Sequence, residues 1–216
     1  MSRCCRALLV ALVVLGVAAP SAGAAPPGAL GDTLGAVWKT ALEIPKPQNP
    51  FTPSDPANNL CADLGGGVVA PFAGTPKTAG TPIDFTCTVT AGTRIFIAAW
   101  SFECSSFPND HGTFGTTEPE LRKCARAADK GITATVTING GEVPLSEVVS
   151  GLVQVSLPPN NIFGVHGAER NGQLVAHGFV FLTDPLTPGT YTIKGHVVFP
   201  TDPPSTIDFT TTIIVQ

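Results

Sequence analysis

Threonine alternates with aliphatic or aromatic residues in several separate segments of this chain. In the first of them, Phe85 and Val89 fall on one side of an extended chain, and Thr86 and Thr88 fall on the other. A period of two with threonine on the wet face and apolar residues on the dry face is typical of half-buried antiparallel strands. The same pattern recurs at 132–138, 191–199 and 207–215.

Turn signals separate these strand-like segments. Asn139-Gly140-Gly141 predicts a tight hairpin, and the chain holds 21 prolines and 23 glycines. The run from Ile95 to Phe102 is apolar on both faces, which predicts a central strand. The sequence therefore predicts an all-β fold, an antiparallel β-sandwich of immunoglobulin-like or jelly-roll-like type. The predicted core is Phe85, Val89, Ile95, Ile97, Trp100, Val136, Ile138, Val180, Ile193, Val197, Phe209 and Ile213, with Thr133, Thr135 and Thr192 exposed.

The first 24 residues have the pattern of a secretory signal peptide. Arg3 and Arg6 precede an apolar run, 7–19, and Ala22-Gly23-Ala24 is a small-residue cleavage pattern. The run is shorter than the roughly 20 residues that span a bilayer, which favours cleavage over a retained anchor. We expect cleavage after about Ala24, a secreted, extracellular mature protein, and no membrane association after cleavage.

The mature chain is predicted to consist of a Pro-rich N-terminal extension, 25–60, and a sandwich domain, 61–216. Within the extension, Asp32 is a candidate cap for one short helix running to about Leu42. Its apolar residues fall on one stripe. The sequence leaves two alternatives open, a helix that docks on the domain and one that frays. A second helix is predicted from the capping-box spacing Thr117-Glu-Pro-Glu120 to about Asp129.

Four cysteines remain after cleavage, and in an exported chain they predict two disulfides. A zinc site is the alternative, but no cysteine lies within four residues of another cysteine or of a histidine. Of the three connectivities, neighbour pairing leaves the strand at 93–102 unthreaded and braces the long loop 105–116. It joins Cys61 to Cys87 and Cys104 to Cys124.

The charge of the chain disfavours nucleic acid as a partner. Arg3 and Arg6 are two of the 12 basic residues, while the 16 acidic residues lie beyond the cleavage site, so the mature net charge is 10 − 16 = −6. No basic run is present to bind phosphate backbones or anionic lipid. We therefore expect no nucleic-acid partner.

Four ordered motifs carry a family resemblance, at 87–96, 117–125, 157–164 and 185–193. They resemble C-x-V-P-A-G-x-x-x-F, T-E-x-E-L-R-x-C-A, P-x-N-N-x-F-G and P-L-x-P-G-x-x-T-I elements of a family of uncharacterised secreted bacterial proteins. Thr90 stands where that family usually has proline, and Ala176-His177-Gly178 replaces a common Asp-Gly pair. The resemblance implies export and a β-rich domain, and it assigns no catalytic residue.

The histidines are the first candidates for chemistry. His177 lies on an apolar strand face, which favours a hydrogen-bonded core histidine, and His196 is predicted to be a surface residue. His111 and His166 fall in loops, where binding or acid–base groups are often assembled. The sequence lacks the G-x-S-x-G, H-E-x-x-H and blue-copper patterns, so we predict no catalytic residue, no metal and no cofactor.

Three functional hypotheses remain open. The first is a non-catalytic extracellular binding module that presents loops 105–116 and 158–173 to a glycan, a wall polymer or a protein. The second is a secreted hydrolase that uses carboxylates near one loop, and the third is a structural or inhibitory exoprotein. The candidate carboxylates are Glu103, Asp110, Glu118 and Glu120, and the candidate binding surface is His111, Phe114, Phe163 and His166. Phe107 is a further candidate for an exposed aromatic platform.

Overall fold

Two β-sheets pack face to face in the computed structural model, which describes residues 27–78, 81–108, 110 and 114–216. The predicted signal peptide and His111 lie outside the described residues. The elements in chain order are α1 (Pro27–Leu42), a 3-10 turn (Lys46–Gln48), β1 (Leu60–Asp63), β2 (Val68–Phe72), β3 (Ile83–Val89), β4 (Arg94–Ser105), α2 (Glu118–Ala128), β5 (Thr133–Ile138), β6 (Gly141–Glu142), β7 (Ser146–Val149), β8 (Val153–Ser156), a 3-10 turn (Gly167–Arg170), β9 (Asn171–Leu182), β10 (Gly189–Phe199) and β11 (Ser205–Val215).

The predicted β-sandwich is confirmed. The first sheet has the order β1-β2-β4-β9-β7, with β8 also paired to β9, and the second has the order β3-β11-β10-β5-β6. The strand predicted at Ile95–Phe102 is part of β4, which lies at the centre of the first sheet. Two pairs, β2 with β4 and β3 with β11, are parallel rather than antiparallel. Neither described helix is long and apolar enough to cross a membrane.

The core has two main layers. Ile95 and Ile97 of the first sheet pack against Ile193 and Ile213 of the second. On the outer face of the first sheet, α1 packs its apolar stripe against β4, β7, β8 and β9. Four residues predicted as core are only half-buried, and Thr192, predicted to be exposed, is half-buried as well. The four are Phe85, Trp100, Ile138 and Phe209.

Helix α1 docks rather than frays, and it begins at Pro27 instead of being capped at Asp32. Leu34, Val37 and Leu42 are almost completely buried. Two glycines allow the helix to approach the sheet closely. A β-carbon on Gly31 would overlap with the carbonyl oxygen of Val149, and one on Gly35 would meet side chains of β8 and the turn before it.

The two disulfides join the predicted pairs. Cys61 of β1 is bonded to Cys87 of β3, so this bridge links the edge strands of the two sheets. Cys104 of β4 is bonded to Cys124 of α2 and holds that helix against the first sheet. One bridge therefore connects the sheets, while the other positions a helix.

The predicted capping box starts α2. The carboxylate of Glu120 accepts hydrogen bonds from the backbone N–H groups of Thr116 and Thr117, at 2.9 and 3.0 Å. These bonds favour the ionised form and lower the pKa of Glu120 to about 2. The carboxylate is thus explained by helix capping.

Candidate functional site

The first sheet opens into a cleft between β2 and β4. These strands pair at only two positions, Val68 with Arg94 and Val69 with Ile95. Pro71 follows on β2, and it has no N–H to continue a ladder. Beyond this point the chain after β2 lies on one side of the cleft, and six consecutive residues of β4, 97–102, lie on the other. The cleft is therefore a gap in the plane of the sheet.

Aromatic residues cover the outer face of the cleft. Trp38 of α1 stacks on Phe51, with ring centroids 5.3 Å apart, and Phe72 meets Phe51 edge-on at 5.3 Å. The indole N–H of Trp38 donates to the hydroxyl of Ser101 at 3.0 Å, which ties this wall to β4. Such offset and edge-on contacts stabilise aromatic clusters. The outer wall is therefore a packed surface.

The inner face of the cleft belongs to the second sheet. Phe85, Ile207 and Phe209 line it, together with apolar residues of β10. The ring of Phe209 lies across Gly195 on the neighbouring strand, where a side chain would overlap with it. Because Phe85, Trp100 and Phe209 face the cleft, they are half-buried rather than core residues. The sequence pattern identified them as apolar and could not show that they face a gap.

The cleft has the size and chemistry of a binding site. Its volume is about 450 Å³, and none of its described lining residues is charged. Its polar side-chain groups are the hydroxyls of Thr75, Ser101 and Thr211 and the indole N–H groups of the two tryptophans, which already donate hydrogen bonds within the protein. Ligand sites are typically 300–1,000 Å³ and mostly apolar, with a few polar groups that fix orientation. The lining favours a neutral, apolar partner.

The residues that the sequence suggested for a binding surface differ in how far they are exposed. Phe107, proposed as an exposed platform residue, is completely buried and stacks on the half-buried Phe163 at 5.2 Å. Phe114 is 49% exposed, and its backbone bridges to Ser105 of β4. His166 is exposed at the start of the second 3-10 turn. Loops 105–116 and 158–173 thus meet through Phe107, which packs in the core.

The carboxylates proposed for hydrolysis do not form one exposed pair. Glu118 forms a salt bridge with Arg122 within α2, with 2.6 Å between the oxygen and the nitrogen, and Glu120 caps that helix. Glu103 lies on β4 rather than in the loop, and it is almost completely buried. Its Oε2 has no hydrogen-bond partner among the described residues. Burial raises the pKa of Glu103 well above its ordinary value, and the nearby Asp110 raises it further.

We expect Glu103 to make the stability of the protein fall as the pH rises. A carboxyl whose pKa is raised by folding stabilises the folded chain below the unfolded pKa, about 4.3, and this stability is lost as the pH passes through the folded pKa. The loss is about 1.4 kcal/mol for each pH unit over which only the folded chain keeps the proton. Urea unfolding at several pH values measures it.

Two variants separate the causes of this pH dependence. Glu103→Gln is expected to abolish the fall in stability, because the amide does not titrate. Asp110→Asn should reduce it only in part, because burial is the larger cause. If the wild type and Glu103→Gln lose stability equally between pH 4 and pH 8, the assignment to Glu103 is wrong.

The prediction of a hydrogen-bonded core histidine is confirmed at His177. Its Nδ1 lies 2.9 Å from Asp129, the buried residue that follows α2, and its Nε2 lies 3.2 Å from Glu147 of β7. The indole N–H of Trp100 donates to Asp129 at 3.0 Å. A cavity of about 430 Å³, lined in part by His177, Glu147 and Arg126, opens beside this cluster. The network ties α2, β4, β7 and β9 together.

His196 is a surface residue, as predicted. Its Nδ1 lies 2.7 Å from Asp208 on the neighbouring strand, and both side chains are largely exposed. A hydrogen bond between two exposed side chains stabilises a fold only slightly, because water competes for both groups. It is therefore a cross-strand contact of the second sheet.

Comparison with known proteins leaves the cleft to be interpreted from its own residues. No family model and no curated protein match the sequence. A cysteine protease inhibitor from Entamoeba histolytica is 12% identical with a TM-score of 0.24, over 62% of this chain and 87% of the inhibitor. Amebosin is 19% identical with a TM-score of 0.21, over 61% of this chain and 88% of amebosin. Both scores are too low to transfer a fold or a function.

Proposed function

We propose that the protein is an exported, non-catalytic binding module whose partner enters the apolar cleft between β2 and β4. The observation that carries this proposal is an uncharged, aromatic-lined gap of about 450 Å³ between the two sheets. Leaving this much apolar surface open is unfavourable in water, so a partner that covers it gains free energy.

The disulfides and the carboxylates support the same proposal. Two bridges are typical of small domains that fold in oxidising compartments, which agrees with the predicted signal peptide. Glu118 and Glu120 have structural partners, and Glu103 is buried away from solvent. Of the partners considered from the sequence, a protein segment suits the lining better than a glycan, which needs many hydrogen-bonding side chains.

A neutral fluorescent probe tests access to the cleft. The only two tryptophans of the chain, Trp38 and Trp100, both line the cleft, so they report its occupancy. We expect N-phenylnaphthylamine to bind and to quench their emission. Thr75→Phe, which fills the mouth at an exposed position, should weaken binding about tenfold or more.

Matched variants locate the site. Ile207 in the cleft and Leu152 outside it are 37% and 36% exposed. Ile207→Ser is expected to weaken probe binding several-fold, whereas Leu152→Ser leaves it unchanged. Phe114→Ala tests the surface predicted from the sequence. Binding that is lost in Phe114→Ala and kept in Ile207→Ser would move the site to that surface, and absence of binding to the wild type would remove the cleft as the site.

A further inference from the structure

The backbone of β4 presents an open edge to the cleft. The strand pairs with β9 along its length, from Phe96 to Ser105, but with β2 only at Arg94 and Ile95. Among the described residues no strand covers the remaining edge until Ser105 bridges to Phe114. An uncovered edge is a row of N–H and C=O groups ready to pair with another chain.

The hydrogen bonds at both ends of β4 show which residues face this gap. Near the start, the N–H of Arg94 donates to Gly67 on the β2 side, and the carbonyl of Ile95 accepts from Thr183 on the β9 side. Because successive residues of a strand alternate between its two neighbours, Ala98 points its backbone groups towards the β2 side.

At the other end of β4 the odd-numbered residues, rather than the even-numbered ones, face the open side. The N–H of Ser106 donates to Gln173 on the β9 side, while the carbonyl of Ser105 accepts from Gly115 on the open side. Ser101 therefore faces the open side as well. The register shift between Ala98 and Trp100 inserts one extra residue in β4, which explains why even-numbered residues face the open side before it and odd-numbered residues after it. The donors and acceptors of Ala98 and Ser101 thus lie along one edge of the cleft.

We propose, on the basis of the binding function proposed above, that the occupant of the cleft is an extended segment of a partner protein, which adds a strand beside β4. A small apolar molecule fills the volume but offers nothing to the backbone groups of Ala98 and Ser101. An extended peptide supplies alternating N–H and C=O groups at the required spacing and lets both form hydrogen bonds.

The walls of the cleft define the side chains of this segment. Alternate residues of an added strand point to opposite faces of the sheet. One set would meet the outer wall of Trp38, Phe51 and Phe72, and the other would meet Phe85 and Phe209 of the second sheet. The segment is therefore uncharged and apolar on both faces. The six residues 97–102 span about 20 Å, so the added strand of the partner would be four to six residues long.

Hydrogen exchange of the full chain tests strand addition directly. The probe is a capped hexapeptide of alternating valine and phenylalanine, flanked by two lysines at each end for solubility. We expect it to shift the emission of Trp38 and Trp100 and to slow amide exchange at Ala98 and Ser101 at least tenfold. Two matched probes carry N-methyl groups on alternate peptide amides, one at the odd and the other at the even positions. The probe whose methyl groups replace the N–H groups that face β4 should bind at least tenfold more weakly.

The outcomes separate this inference from the proposed function. Equal binding of the peptide and both methylated forms, or peptide binding without protection of Ala98 and Ser101, would overturn strand addition. If N-phenylnaphthylamine still binds in that case, the cleft remains a site for a small apolar molecule. Protection of the same amides without peptide, together with a concentration-dependent dimer in sedimentation, would make a second copy of this chain the occupant and overturn the proposal.

Discussion

Replacing Gly31 by alanine is expected to destabilise the protein by about 2–3 kcal/mol, although alanine is the better helix former. The added β-carbon would overlap with the carbonyl oxygen of Val149, a backbone atom that cannot rotate away. Helix α1 must then shift from the first sheet, and overpacking of this kind costs typically 1–3 kcal/mol. The midpoint of urea unfolding, followed by tryptophan fluorescence, measures the loss.

Gly28→Ala is the matched control for this prediction. It lies in the same helix, and no atom lies within 4 Å of the position its β-carbon would take. Helix propensity then dominates, so Gly28→Ala should be neutral or stabilise the protein by up to about 1 kcal/mol. Equal effects of the two variants would mean that α1 does not rest on β7 as described.

Removing the bridge between the sheets is expected to cost about 3 kcal/mol. Cys61 and Cys87 are 26 residues apart, and in the chain-entropy model a loop of this length contributes about that much. A Cys61→Ala, Cys87→Ala double variant should also weaken binding in the cleft, because β3 carries Phe85 on the inner wall. Urea unfolding and the fluorescent-probe titration together measure both effects.

The second bridge provides the comparison. Cys104 and Cys124 are 20 residues apart, so the Cys104→Ala, Cys124→Ala variant should lose a similar free energy of unfolding. Its effect on the native state differs, since α2 and loop 105–116 should loosen while probe binding in the cleft is kept. Loss of probe binding in this variant and not in the first would contradict the assignment of the two bridges.

The features that the sequence predicts are those set by local patterns. The alternation around Thr133 and Thr135 identifies a strand with a wet and a dry face, and both threonines are exposed. The capping box at Thr117 locates the start of α2, because the contacts that form it lie within four residues. The pairing of Cys61 with Cys87 follows from the order of the cysteines along the chain, because pairing neighbours leaves the strand at 93–102 unthreaded. Each of these depends on few distant contacts.

The cleft depends on distant contacts and therefore has no local signature. Phe85, Trp100 and Phe209 look like core residues, and only the divergence of β2 from β4 leaves them half-exposed. Glu103 follows a run that is apolar on both faces, and the sequence does not show that its own side chain is buried as well. In the same way, the docking of α1 depends on where Gly31 meets β7. From the sequence alone, Gly31 is only a residue of low helix propensity.

The position of β11 has a consequence for the order in which this protein can fold. Although β11 comes after all the other described strands, it lies between β3 and β10, and its residue Phe209 pairs in parallel with Ile83. The second sheet therefore cannot be completed before Val215 has left the ribosome, by which time the rest of the chain has been made. Late closure through pairs of such large separation slows folding. Slow folding keeps a chain competent for translocation, which suits a protein that carries a predicted export signal.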